Sequence, residues 1–278
     1  MSRATMKKTI SVGTIHLAFI VAAGLTLLPF IWMLGTSFMP SGAASSFPPK
    51  FLPSPATLTQ YITLFQRMNL GRFFVNSLVL SLSVTCISLL VNSLAGFAFA
   101  KYSFRAKQSI FVFLLSSMII PSQITMLPVF LLLNKMGLVN TYFGIILPGM
   151  ASVFGIFLIR QYLFGIPDSL LEAARMDGAK EFTIYWKIML PLAKPVLVTL
   201  ALFTFMGTWN DFMWPLIVMT KQDMYTLPIA IANLSGEHVQ DPELMMAGSV
   251  ITVLPILLVF LFLQKYYVQG ILLGGIKE

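Results

Sequence analysis

A single carboxylate stands inside an otherwise uncharged apolar stretch. Pro195 to Thr220 carries no Lys, Arg or Glu and one Asp, Asp211, with Trp209 and Asn210 before it and Trp214 just after. An Asp at membrane depth is expected to face a cavity or a partner. Asn210 and Asp211 are therefore candidate solute-path residues, with Trp209 and Trp214 as the flanking rings. A hydrogen bond between helices would satisfy the same two side chains, and both readings stay open. Nucleophilic and metal chemistry have no comparable signature. The one cysteine, Cys86, lies in an apolar block and reads as a small buried side chain. His16 and His238 are isolated, and no HExxH and no phosphate-cradling GxxxxGKS/T occurs. No catalytic residue, metal ligand or bound cofactor is expected in this chain.

A second cluster lies between two apolar blocks, from Ile166 to Pro195. Pro167, Asp168 and Ser169 signal a helix start, where Asp or Ser can cap the first free amides. Leu170, Leu171, Ala174 and Met176 follow, with Glu172, Arg175 and Asp177 between them. This pattern predicts a short amphipathic helix that Gly178 ends. A second short helix, about Lys180 to Met189, carries Phe182, Tyr185 and Trp186. Pro191 and Pro195 then lead into the next apolar block. Such a helix could lie on the membrane surface or fit a groove on a cytoplasmic partner. Its mixed charges favour docking, because surface anchors are usually rich in Lys and Arg.

The elements around these clusters follow from composition. Hydrophobic residues make up 57% of the chain and charged residues 10%, with a mean hydropathy of +0.85. A soluble domain carries about 25% charged residues. The apolar residues come in blocks long enough to span a bilayer as helices. The expected fold is an all-α membrane protein with six spans, at about 15–38, 73–100, 108–132, 139–160, 195–220 and 245–265. They form one membrane domain over 15–268, between a short N-terminus, 1–14, and a tail, 269–278. Pro121 and Pro128 should kink or break the third span. The first block has the flanks of a signal peptide, but its core exceeds the roughly 7–15 residues of one, so it is expected to remain as a span. Lys and Arg number 13 on one set of loops and five on the other. That bias places both termini and the 166–195 loop in the cytoplasm. The net charge of +8 is absorbed by this asymmetry and does not point to nucleic acid. The outer segment Met39 to Arg72 is read as an ordered loop with a short helix near Thr59 to Arg67.

Glu172-Ala173-Ala174, then Asp177-Gly178-Ala179, then Ile188, Leu190 and Pro191 resemble the EAA signature of ABC importer permeases. The resemblance runs along most of the chain. It includes Asn76-Ser77-Leu78, Ser93 to Ala100, Ile120-Pro121-Ser122-Gln123, Trp209-Asn210-Asp211-Phe212 and Tyr225-Thr226-Leu227-Pro228. Together these are similar to the carbohydrate-uptake class, and within it to the six-span subunit of the maltose-system G type. One departure is Tyr185, where many members have Phe. The resemblance implies a permease in the bacterial inner membrane that pairs with a second, homologous permease. It implies two ATP-binding subunits, which hold the ATP and Mg, and an extracytoplasmic solute-binding protein. It also implies that Glu172, Ala173, Ala174, Asp177, Gly178, Phe182 and Pro191 form the ATPase-docking loop. The loop from Gln222 to Met246 would reach into the binding protein, or simply connect two spans. The expected solute is a sugar, a di- or oligosaccharide. Glycerol phosphate or a polyol is the alternative, and an ion-coupled carrier is disfavoured by the scarcity of acids at membrane depth.

Overall fold

A computed structural model describes residues 3–48, 51–234 and 241–275. Lys50, Glu237, His238 and Lys277 lie outside the described residues. All regular structure among the described residues is helical. In lipid the backbone must satisfy its own hydrogen bonds, which a helix does within one segment.

The chain runs through α1 (Arg3–Ser37), α2 (Thr59–Met68) and α3 (Leu70–Lys101). Next come α4 (Lys107–Ser117), α5 (Ser122–Lys135), α6 (Phe143–Gly149) and α7 (Val153–Phe164). A hairpin follows, made of α8 (Ser169–Met176), α9 (Glu181–Ile184), a π-helical turn over Tyr185–Met189 and α10 (Leu190–Leu192). The chain closes with α11 (Lys194–Trp209), α12 (Met213–Val218), α13 (Leu227–Leu234) and α14 (Pro242–Gly275). Among the described residues, four segments are long and apolar enough to cross a membrane: Gly13–Ser37, Leu70–Lys101, Phe143–Phe164 and Pro242–Gln264. Two further pairs are bent, α4 with α5 by 101° and Glu181–Leu192 with α11 by 78°. Counting α4 with α5 as one crossing, and α11 as another that is entered from the bent segment before it, brings the total among the described residues to as many as six, the number expected.

Three of the spans are broken, the third as its prolines led one to expect and the fourth and fifth without such a warning. The third stops after Ser117 and resumes at Ser122, with Pro121 in an extended conformation just ahead of α5. A proline there lacks an N–H that has no intrahelical partner anyway. Pro128, expected to disturb the same span, sits inside α5. The fourth runs over 143–164 rather than 139–160 and is interrupted at 150–152. Ser152 caps α7 by accepting from the Gly155 N–H at 2.9 Å, and the Asn92 side chain accepts the Ser152 N–H at 3.0 Å. The fifth block, 195–220, is two helices rather than one, because the chain leaves α11 at Asn210 and re-enters a helix at Met213.

The chain divides into two compact units. The first holds Met1–Leu70 and Ile231–Leu254. In it the Ser37 hydroxyl meets Tyr61 at 2.8 Å, and Gln60 donates to the Met39 carbonyl at 3.2 Å. These contacts order the segment before α2, which is the short helix expected near Thr59. The start of α14 is tied to the same segment, since Asp241 accepts from Ser41 and the buried Glu243 accepts from the Ala44 N–H.

The second unit holds Gly71–Ala230 and Pro255–Glu278. Its core joins α3, α7, the hairpin and α11 through Phe97, Ile159, Leu163, Leu171, Ile184 and Leu200. Glycine permits the close approach of α3 and α7. A Cβ on Gly96 would lie 2.7 Å from Ile159 Cγ2 and 3.2 Å from the Arg160 nitrogen. Cys86 is exposed on α3, not buried as its apolar surroundings suggested. A membrane helix is apolar on its outward faces too, so an apolar neighbourhood in sequence does not mark the core.

Candidate functional site

The hairpin is built as its residues dictate. α8 turns Leu171 and Ala174 into the core and leaves Glu172, Ala173, Met176 and Asp177 exposed. At its end Gly178 takes φ +78°, in the left-handed region. The Ala179 N–H reaches the Ala174 carbonyl at 2.9 Å and the Gly178 N–H reaches Arg175 at 3.0 Å. This pair of bonds closes a helix on a left-handed residue, which glycine adopts without a Cβ clash. After the bend, Ile184, Tyr185 and Met189 turn inward, while Phe182, 70% exposed, and Trp186 stack edge to face on the outside. Pro191 and Trp186 line one apolar hollow.

Two neighbouring residues at the end of α3 hold the hairpin. Lys101, with its side chain only 3% exposed, donates to Asp168 at 2.6 Å and to the Ile166 carbonyl. Asp168 therefore pairs with Lys101 and makes no capping bond, contrary to the expectation from sequence. The hydrogen bond and charge of Lys101 hold the Asp168 carboxyl below its ordinary range. Across the bend, Arg175 donates to Glu181 at 2.7 Å, and the Tyr102 hydroxyl donates to the other Glu181 oxygen. These bonds hold the Glu181 carboxyl down, Arg175 contributing more than Tyr102. Burial, then the Glu181 bond and charge, push the Tyr102 hydroxyl up to about 12. The Tyr185 hydroxyl meets Ser93 at 2.6 Å inside the core, a partner that Phe would lack.

The four candidate solute-path residues separate. Trp209 is buried, stacked on Phe205 with its centroid 5.7 Å away and set edge-on to Phe74. Asn210 is exposed beside a different hollow lined by Met206, Gly207 and Phe260. Asp211 and Trp214 come together on the wall of a cavity of about 560 Å³. The Asp211 carboxylate accepts the Trp214 N–H at 3.3 Å, at the first turn of α12. The Trp214 indole donates to the Gly144 carbonyl at 3.2 Å. The same wall carries Ser122, Gln123, Thr125 and Thr208, none of which was singled out for the solute path. Their signal was the proline before Ser122, which marks a helix start in the middle of an apolar block.

The loop after α12 is latched to two asparagines. Asn140 accepts the Thr220 and Lys221 N–H groups at 2.7 and 2.9 Å. Asn76 donates to the Asp223 and Tyr225 carbonyls, and accepts from the Tyr142 hydroxyl at 2.7 Å.

Residues 92–272 match the family described as binding-protein-dependent transport system inner membrane component. The arabinooligosaccharides transport system permease protein AraQ of Halalkalibacterium halodurans is 39% identical over 267 residues, 95% of each chain. The lactose transport system permease protein LacG of Rhizobium radiobacter is 33% identical over 258 residues, 92% of this chain and 93% of that one. A crystal structure of a bacterial ABC transporter involved in the import of alginate, an acidic polysaccharide, has a similar chain. It superposes with a TM-score of 0.82 at 24% identity, over 96% of this chain and 99% of that one. The likeness to that structure concerns the fold alone, but the family match and the two relatives carry further: this chain belongs to the binding-protein-dependent transport system inner membrane components, multi-pass permeases of ABC importers and not enzymes.

Proposed function

We propose that this chain is one of two membrane-spanning subunits of an ATP-driven saccharide importer, and that its 166–192 hairpin is the joint to the ATPase. The observation that carries this reading is the exposed hairpin itself, bent at Gly178 and fastened to the end of α3. Glu172, Ala173, Asp177 and Phe182 face away from this chain's core, as a docking surface requires. Ala174 faces inward, so its small size serves packing under the hairpin. Relatives named for arabinooligosaccharides and lactose support a saccharide as the solute.

In this reading a second, homologous permease completes the pathway, and two partner subunits bind ATP and Mg. A solute-binding protein delivers the sugar from outside, where the loop following Gln222 lies. Closure of the ATPase pair moves the hairpin, and the permeases alternate between inward-open and outward-open forms. The hairpin side, with both termini, faces the cytoplasm by the excess of Lys and Arg there.

Glu172→Arg tests the joint. Membrane insertion should be normal, and recovery of the ATPase subunit with an affinity-tagged permease should fall about tenfold or more, as when a charged contact at an interface is reversed. Normal complex recovery together with normal uptake would remove Glu172 from the interface.

A further inference from the structure

Three chain breaks meet at the cavity of about 560 Å³. α5 starts there after the 101° bend, with Ser122, Gln123 and Thr125 on the wall. α6 ends there with Pro148 and Gly149, and the turn between α11 and α12 brings Thr208, Asp211 and Trp214. In a bilayer, irregular backbone is tolerated where protein buries it or where it lines a water-filled cavity. Broken helices that converge on one point are also how membrane carriers assemble a solute site. The volume falls within the roughly 300–1,000 Å³ typical of ligand pockets.

The wall has a definite chemistry. Three hydroxyls, one amide and one carboxylate offer both donors and acceptors at Ser122, Thr125, Thr208, Gln123 and Asp211. The Trp214 indole N–H is already taken by the Gly144 carbonyl, which leaves the ring to offer apolar surface. Among the described residues on the wall, Asp211 alone carries a charge, and there is no Lys or Arg. The first turn of α5 adds the partial positive charge of a helix N-terminus, about half an elementary charge. That does not outweigh a carboxylate. An anionic ligand would sit beside Asp211 without a cation, whereas sugar hydroxyls can donate to Asp211 and accept from Gln123.

We propose that this cavity is this chain's share of the solute site and that it takes a neutral saccharide, with Gln123 and Asp211 setting that specificity. The proposal rests on the importer reading above and adds to it a location and a charge preference. The chain of similar fold whose transporter imports acidic alginate would then differ from this one in charge selection.

The test uses the complete importer with its binding protein, in liposomes, with arabinotriose as the probe. Gln123→Ala and Asp211→Ala should each lower uptake roughly tenfold, the weight of a hydrogen bond to a charged or polar partner. Asp211→Asn keeps the shape and an acceptor oxygen and should retain more uptake than Asp211→Ala. If an alanine variant fails to assemble, Gln123→Cys in a Cys86→Ser chain replaces it. In the detergent-solubilised complex, its reaction with a polar thiol reagent should slow when arabinotriose is added in excess, and not with trigalacturonate. Near-normal uptake by both alanine variants, or labelling that arabinotriose leaves unchanged, overturns the cavity assignment and leaves the importer reading standing. Equal protection by trigalacturonate overturns the preference for a neutral ligand. A wild-type complex that moves no saccharide among arabinotriose, lactose and trigalacturonate overturns the importer reading and this proposal with it.

Discussion

Lys101 and Tyr102 are adjacent in sequence, yet they reach Asp168 and Glu181 on either side of the hairpin bend. Their partners give the hairpin a pH signature with a definite sign. Asp168 and Glu181 titrate below their ordinary range, so their contribution is present above the unfolded carboxylate values of about 3.9–4.3 and lost as pH falls through the lower folded values. Tyr102 titrates above its ordinary value. Its contribution is whole below about 10 and is lost as pH rises toward the folded value. Hydrogen-exchange protection across 166–192, taken relative to the intrinsic rate at each pH, should therefore be flat from about pH 5 to 9 and fall at both ends. A transition centred near neutral pH would contradict these pairings. Little of this was legible in the sequence. Asp168 read as a helix cap because capping is local, whereas its actual partner lies 67 residues away. Glu172, Gly178 and Phe182 were legible as an exposed bend because alternation of charge and glycine is also local.

At the scale of elements, the bend and the α3–α7 contact are the positions least tolerant of change. Gly178→Pro imposes a φ near −65° where the chain needs +78° and removes the N–H that bonds Arg175. It should cost about 3 kcal/mol locally, seen as protease cleavage within the hairpin while the spans stay folded. Gly96→Ala places a methyl against Ile159 and the Arg160 backbone nitrogen. A drop in thermal stability corresponding to about 1–3 kcal/mol is expected, without loss of membrane insertion. The interruption at 150–152 depends on Asn92, which accepts the Ser152 N–H. Asn92→Leu strands that donor and should cost about 1–3 kcal/mol by thermal unfolding of the purified complex. The sequence placed the apolar blocks and, through Pro121, the break in the third, but not the breaks at 150–152 and Asn210. Pro121 interrupts the chain while Pro29, Pro128 and Pro255 sit inside helices, and composition does not separate the two cases. The break at Asn210 has no proline before it. There a carboxylate accepts a backbone N–H two residues beyond the turn and starts a new helix.

For the whole molecule, the family places the chain in a machine whose energy source lies elsewhere. In liposomes without ATPase partners it should hydrolyse no ATP and move no labelled saccharide down an imposed proton or sodium gradient. Gradient-driven uptake by the lone chain would overturn the ABC reading. Hydropathy made the apolar segments legible. Which face of each crossing meets the cavity was hidden, because a membrane helix is apolar toward lipid and toward its core alike. Trp209 and Trp214 are equivalent by composition, and one packs inside while the other lines the cavity. Of the helices that line the cavity, α3 contributes Val84 and is the one that passes it without a break. At about 1.5 Å per residue, its 32 residues form a rod of about 48 Å. The hairpin grips one end of that rod at two successive residues, so it has no free pivot there. In the cycle proposed above, a tilt of the hairpin would become a sideways sweep of Val84, while the interrupted helices around it would fold at their joints. One wall of the chamber would then work as a stiff lever, and the others as hinged panels.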